Sequence, residues 1–133
     1  MTTDSASSGA IAALVQVAER RNNAAALVAD GRERSYRELL TASDRMAATL
    51  LGARRDLGEA RVVFLVPPGF DYVATQWGIW RAGGIAVPLA LMHPRPELEY
   101  VIDDAEAAAL VVHPTLEDRL ADIAAERGLP LIR

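Results

Sequence analysis

The stretch Tyr72–Leu89, YVATQWGIWRAGGIAVPL, does most to constrain the fold of this 133-residue chain. Tyr72, Val73, Trp77, Ile79 and Trp80 recur at helical spacing. Gly83 and Gly84 then supply the left-handed residue that commonly closes a helix. Ile85-Ala86-Val87 is a short apolar run, and Pro88 ends it because proline cannot donate to a strand ladder. Just upstream lies Arg61–Val66, nearly continuously apolar and bounded by Pro67-Pro68-Gly69. Such a run suits a strand buried on both faces, as in a parallel sheet. Strand, helix, glycine stop and strand make a βαβ unit.

The flanking sequence extends the pattern. Met1–Ser8 is small and polar and is expected to be a disordered lead-in, with one domain over residues 9–133. Ile11, Leu14, Val15 and Ala18 form one apolar helix face, ending near Arg21-Asn22-Asn23. Ala25–Ala29 and Arg32–Ser35 flank Asp30-Gly31, which predicts a type I′ hairpin. Ser35-Tyr36-Arg37-Glu38 has the spacing of a capping box, and the helix it opens should reach about Ala53. After Pro88 the spacing predicts a loop over Leu89–Pro96, a helix over Glu97–Ala105 and a strand over Ala108–Val112. A helix lined by Leu116, Leu120, Ile123 and Ala124 should follow, stopping at Gly128, with a last strand over Leu129–Ile132. The predicted fold class is α/β: a β-hairpin, then a βαβαβαβ parallel-sheet unit with right-handed crossovers and helices on both faces. A sheet stopping at that last strand would leave an edge or a face uncovered, so the chain is expected to be a fragment.

Composition narrows the chemistry. All 14 basic residues are arginine, and there is no lysine or cysteine. Amine and thiol nucleophiles, Schiff bases, thiolate metal sites and a Walker-type lysine are therefore excluded. The net charge is −4 and no basic stripe is visible, which disfavours nucleic acid as a partner. No run approaches the roughly 18 apolar residues of a membrane span, and the first residues lack the basic start of a signal peptide. A cytoplasmic location is the expectation.

Ligands of open α/β sheets collect at the carboxyl ends of the strands. Those ends carry Pro67-Pro68-Gly69, the Leu89–Arg95 loop, His113-Pro114 and Arg133. Pro67-Pro68-Gly69 lacks spaced glycines and reads as a structural turn. Gly83-Gly84 closes a helix, whereas a phosphate cradle needs the opposite order, a strand followed by a helix start. His93 and Arg95, on a loop stiffened by Pro94 and Pro96, are candidate anion contacts, weighed against a solvated loop with a satisfied histidine. His113, with no acid near it in sequence, reads as a capping or solvated residue. Glu97, Glu99, Asp103 and Asp104 read as the solvated face and first-turn charges of a helix. Trp77 and Trp80 read as core. No catalytic constellation and no metal cluster emerges, and the residues alone define an α/β domain.

Five blocks, in order, resemble the amino-terminal part of the adenylate-forming superfamily: acyl-CoA synthetases, peptide-synthetase adenylation domains and luciferases. They are Ala26–Gly31, Ser35–Leu39, Arg61–Pro67, Arg81–Leu89 and Glu97–Ala105. The second is similar to the family's (T/S)-Y-x-E-L and the fourth to its (K/R)-A-G-(A/G)-x-x-V-P-L. Glu59-Ala60 stands where the family usually has an acidic residue directly before arginine. The resemblance spans roughly Ala24–Arg133 and is greatest to acyl-CoA synthetases of the malonate-activating type.

The resemblance implies an ATP-dependent ligase that joins a small carboxylic acid to CoA through an acyl-adenylate. It implies ATP, CoA and Mg²⁺ for the full-length enzyme. The phosphate loop with its lysine, the adenine shelf, the ribose-binding aspartate and the catalytic lysine of the family are absent here. The implied role is therefore an amino-terminal subdomain that is inactive alone, binds none of the three by itself, and contains no catalytic residue. One contact carries over from the family: a basic residue after an Asn-Pro touches the CoA phosphates in some members, and Arg95 after His93-Pro94 stands at that position. Histidine replaces asparagine there. The alternatives are a stand-alone truncated homologue that binds a partner or self-associates through exposed apolar surface, and part of a peptide-synthetase adenylation domain.

Overall fold

A computed structural model describes residues 5–133. Helix α1 (Ser5–Arg20) leads to a hairpin of β1 (Ala25–Ala29) and β2 (Arg32–Ser35). Helix α2 (Tyr36–Leu51) follows, then β3 (Arg61–Leu65), α3 (Phe70–Arg81), β4 (Ile85–Pro88) and α4 (Arg95–Asp104). Strand β5 (Ala109–Val112) runs through a 3-10 turn, Pro114–Leu116, into α5 (Glu117–Arg127), and β6 (Leu131–Ile132) comes last. No described helix is long and apolar enough to cross a membrane.

Local chemistry accounts for the boundaries. Asp30 and Gly31 both have positive φ, 53° and 73°, as a type I′ turn requires, and Ala29 pairs with Arg32 across it. The Ser35 hydroxyl accepts from the Glu38 N–H at 3.2 Å, while the Glu38 carboxylate accepts from the Ser35 N–H at 2.9 Å. That reciprocal pair is the capping box the sequence predicts. At the end of α3 the Gly84 N–H donates to the Ile79 carbonyl and the Gly83 N–H to that of Trp80, with Gly83 at φ 85°. This is a Schellman closure.

The sheet has the order β4-β3-β5-β6, and every neighbouring pair is parallel. Alternation along β3 divides its side chains between two cores. Val63 and Leu65 pack with Leu98 and Ile102 of α4 and Leu120 and Ile123 of α5. Val62 and Phe64 pack with Ala47 of α2 and Ile79 of α3. The Phe64 and Tyr72 rings meet edge to face, 5.0 Å between centroids. A third cluster, Ala18, Leu39, Ala74 and Trp77, joins α1, α2 and α3 outside the sheet layers. The α/β class, the hairpin and the helices on both faces are as the sequence predicts.

Four details differ from the sequence reading. Helix α1 already includes Ser5–Ser8, assigned above to a disordered lead-in, because small residues such as Ala6 are compatible with helix; residues 1–4 of that lead-in lie outside the described residues. Arg95 stands in the first turn of α4, not on the loop, since Pro94 acts as the N-cap and a first-turn Pro96 sacrifices no helical hydrogen bond. Trp80 is 37% exposed, whereas Trp77 is core: α1 passes beside Trp80 without covering it. Glu99 and Asp103 are not simply solvated, as both receive Arg127 from α5.

Candidate functional site

Two places at the carboxyl edge of the sheet concentrate polar chemistry. The first lies between β3 and β5. The chain leaves β3 through α3 on one face and arrives at β5 through α4 on the other, which makes this the switch point where open sheets form crevices. His113 follows β5 and accepts the Thr115 N–H at Nδ1, 3.2 Å away, so it caps the 3-10 turn as expected. That bond leaves Nε2 to carry the proton of the neutral ring, and Nε2 faces Asp71 Oδ2 of α3 at 3.5 Å. The sequence reading found no acid near His113, and the fold supplies one.

The His113–Asp71 pair separates two open cavities. One, of about 230 Å³, is walled by the hairpin residues Arg32 and Arg34 and by Pro67–Phe70. The Arg34 guanidinium stacks 3.7 Å over the Phe70 ring and donates to Glu38. The other, of about 260 Å³, is more apolar, lined by Met46, Val66, Ala74 and Val111. Arg34 is neutralised by Glu38, and Asp30 and Asp71 line the first cavity with Arg32, so no net positive field favours an anion there. The Thr115 hydroxyl also lies 2.7 Å from His113 Nδ1, so both polar groups of Thr115 engage the ring as part of the cap.

The second place is the β4–α4 connection, which holds the two predicted site residues. His93 is half-buried, with Nδ1 enclosed and without a hydrogen-bond partner. Arg95 donates to Glu126 of α5 at 2.8 Å and lies 3.5 Å from Glu99 and 4.0 Å from Asp122. The hydrogen bond to Glu126 and the nearby carboxylates raise its pKa above the usual guanidinium value. Any anion reaching Arg95 must therefore compete with carboxylates already in place. Sequence reasoning missed Arg119 of α5, which donates to the carbonyl oxygens of Leu91 and His93. Its position on α5 was visible in the sequence, but the crossing of α5 over the loop was not.

The match to known proteins follows this geometry. The family described as AMP-binding enzyme matches residues 14–131. The chain belongs to that family. It is 40% identical over 102 residues to the mitochondrial malonate–CoA ligase ACSF3 of Mus musculus, covering 74% of this chain and 18% of that protein. The Homo sapiens counterpart is 37% identical over 111 residues, covering 80% and 19%. The crystal structure of apo MatB from Rhodopseudomonas palustris superposes with a TM-score of 0.78 at 30% identity, over 93% of this chain and 25% of that one. The chain thus spans about a fifth of the length of the curated relatives it matches.

Adenylate-forming enzymes use ATP with Mg²⁺, and the residues present do not fit that pair. Among the described residues no group of three or more His, Cys, Asp or Glu could hold a metal ion, and the chain has no lysine for a triphosphate.

Proposed function

We propose that this chain is the leading part of the amino-terminal domain of an ATP-dependent acyl-CoA ligase for a small carboxylic acid, malonate being the first candidate. In the proposed reaction the acid attacks the α-phosphate of ATP, pyrophosphate leaves, and the CoA thiol then displaces AMP from the acyl-adenylate. ATP, Mg²⁺ and CoA are expected for the longer enzyme. The 133 residues contribute scaffold and, through Arg95 and the His93 loop, one contact for the CoA phosphates, which would have to displace Glu126 and the neighbouring carboxylates from Arg95. They carry no adenylation chemistry by themselves.

The observation that carries the reading is likeness in sequence to malonate–CoA ligases over 74% of the chain, beside a likeness in fold to MatB over 93% of it. The absence of lysine supports the second half of the proposal, because the family's adenylation needs an ammonium that this stretch cannot provide.

The test is ATP–pyrophosphate exchange with malonate and a panel of short mono- and dicarboxylic acids. It is run on the isolated chain and on the whole translated reading frame that contains it. Exchange is expected from the whole product only, with malonate among the accepted acids. Exchange by the isolated chain would overturn its assignment as scaffold. A whole product inert towards every acid would overturn the ligase reading and favour a binding module.

A further inference from the structure

The β4–α4 connection is held from outside by one stripe of α5. Arg119, Asp122 and Glu126 fall at i, i+3 and i+7, one helical face. Asp122 and Glu126 receive Arg95, while Arg119 reaches back to the carbonyls of Leu91 and His93. Arg95 and Arg127 meet carboxylates, but no described carboxylate lies within ion-pair distance of Arg119, which is half-buried. Its charge is met by the loop's backbone oxygens.

A guanidinium suits this task. Its planar fork holds two acceptors at a fixed spacing, whereas an ammonium is a point donor that cannot fix their relative direction. The two carbonyls flank Met92, which is 88% exposed and gives the loop tip no packing of its own. Within the loop, the His93 N–H donates to the Ala90 carbonyl at 3.2 Å, and Pro94 then caps α4. Holding Leu91 and His93 therefore fixes the ring of His93 and the start of the helix on which Arg95 stands.

We propose that Arg119 is a positioning residue: it pins the Leu91 and His93 carbonyls and thereby presents His93 and Arg95 to the phosphates of CoA. The purpose assigned to the loop rests on the ligase reading above. The pinning itself does not.

The experiment has two readouts. Amide hydrogen exchange on the isolated chain compares wild type with Arg119→Leu and Arg119→Lys. The His93 amide should exchange at least tenfold faster in Arg119→Leu, Arg119→Lys should restore part of the protection, and the buried amides of β3 should be unchanged. Steady-state kinetics on the whole reading-frame product should show a several-fold higher KM for CoA in Arg119→Leu and in Arg95→Ala, with the KM for ATP unchanged. Unchanged exchange at His93 overturns the pinning. A loosened loop with normal CoA kinetics, while Arg95→Ala raises the KM, overturns the positioning role alone. Normal CoA kinetics in both variants overturn the assignment of this loop to CoA, which is a failure of the functional reading. Equal loss of protection throughout β3 would show Arg119 to be a general stability contact and overturn the proposal.

Discussion

Arg127 illustrates how single residues tie this chain together. Its Nε and Nη2 donate to the two carboxylate oxygens of Asp103 at 2.6 and 3.0 Å, and Nη2 also reaches Glu99 at 3.4 Å. The fork-to-fork geometry joins α5 to α4. The Arg127 hydrogen bond holds the Asp103 carboxyl below its ordinary range, and Arg133 does the same for Glu117. Glu38 is lowered chiefly by the Ser35 N–H in the capping box and next by Arg34. Carboxyls depressed in the folded state bind fewer protons there than in the unfolded chain, so stability rises with pH through their titration range. The contribution is present above the unfolded value of about 4 and is lost as pH falls through the lower folded values. The urea midpoint should hold steady from pH 7 to 5 and fall below pH 4, with a shallower fall in Arg127→Leu. A variant that keeps the full acid dependence would remove Asp103 from this account. Glu38 and Asp103 are exposed and Glu117 is half-exposed, so the effect is expected to be modest. Local pairs such as Ser35–Glu38 were legible in the sequence because three residues fix their geometry. Asp103–Arg127 and His93–Arg119 are 24 and 26 residues apart, and only the docking of α5 brings them together.

At the scale of elements, α2 and α3 pack at close range. A Cβ placed on Gly78 would lie 2.5 Å from Met46 Cβ and 3.0 Å from the Ser43 carbonyl. Beside it, Arg81 of α3 donates to the Leu40 carbonyl at 2.9 Å and to the buried Ser43 hydroxyl at 3.0 Å, satisfying polar groups that water cannot reach. On an exposed helix Gly→Ala would be favourable by roughly 1 kcal/mol. Here the methyl group meets the facing helix at its stem, where no rotamer change gives relief. Gly78→Ala should therefore destabilise by about 1–3 kcal/mol, measured by urea unfolding. A gain in stability would show that α2 and α3 separate freely. Helical periodicity predicted α3 and its glycine stop from one segment of sequence. It carried no sign that Gly78 is a contact glycine, because that property belongs to α2. The start of α4 was misplaced for a related reason: prolines read as loop punctuation also fit the N-cap and the first turn of a helix.

For the molecule as a whole, alternating strands and helices made the α/β class legible, and nearly continuous apolar runs made the parallel sheet legible. The order β4-β3-β5-β6 was not, since the pattern does not say on which side of β3 each crossover returns. The His113–Asp71 pair depends on that order, which explains why His113 looked solitary in the sequence. The same architecture divides the interior. Two cores share the sheet, while α1 docks on α2 and α3 through a separate cluster of Ala18, Leu39, Ala74 and Trp77. Ala18 is 1% exposed and is the one fully buried α1 residue in that cluster. A carboxylate forced into that position has no cation listening from the cluster and must either ionise in apolar surroundings or push the helix away. Undocking is the cheaper outcome, because the cores on the sheet lose nothing when α1 lifts. Ala18→Asp should shift tryptophan emission to the red, since Trp77 contacts this cluster and Trp80 borders Ile11, Ala12 and Val15. Amides of β3 and β5 should keep their hydrogen-exchange protection, the behaviour of a locally rather than globally opened protein. Loss of that protection together with the red shift would mean that the three clusters unfold as one unit and that α1 is required by the sheet. An unchanged emission spectrum would mean that α1 does not cover Trp77 in solution.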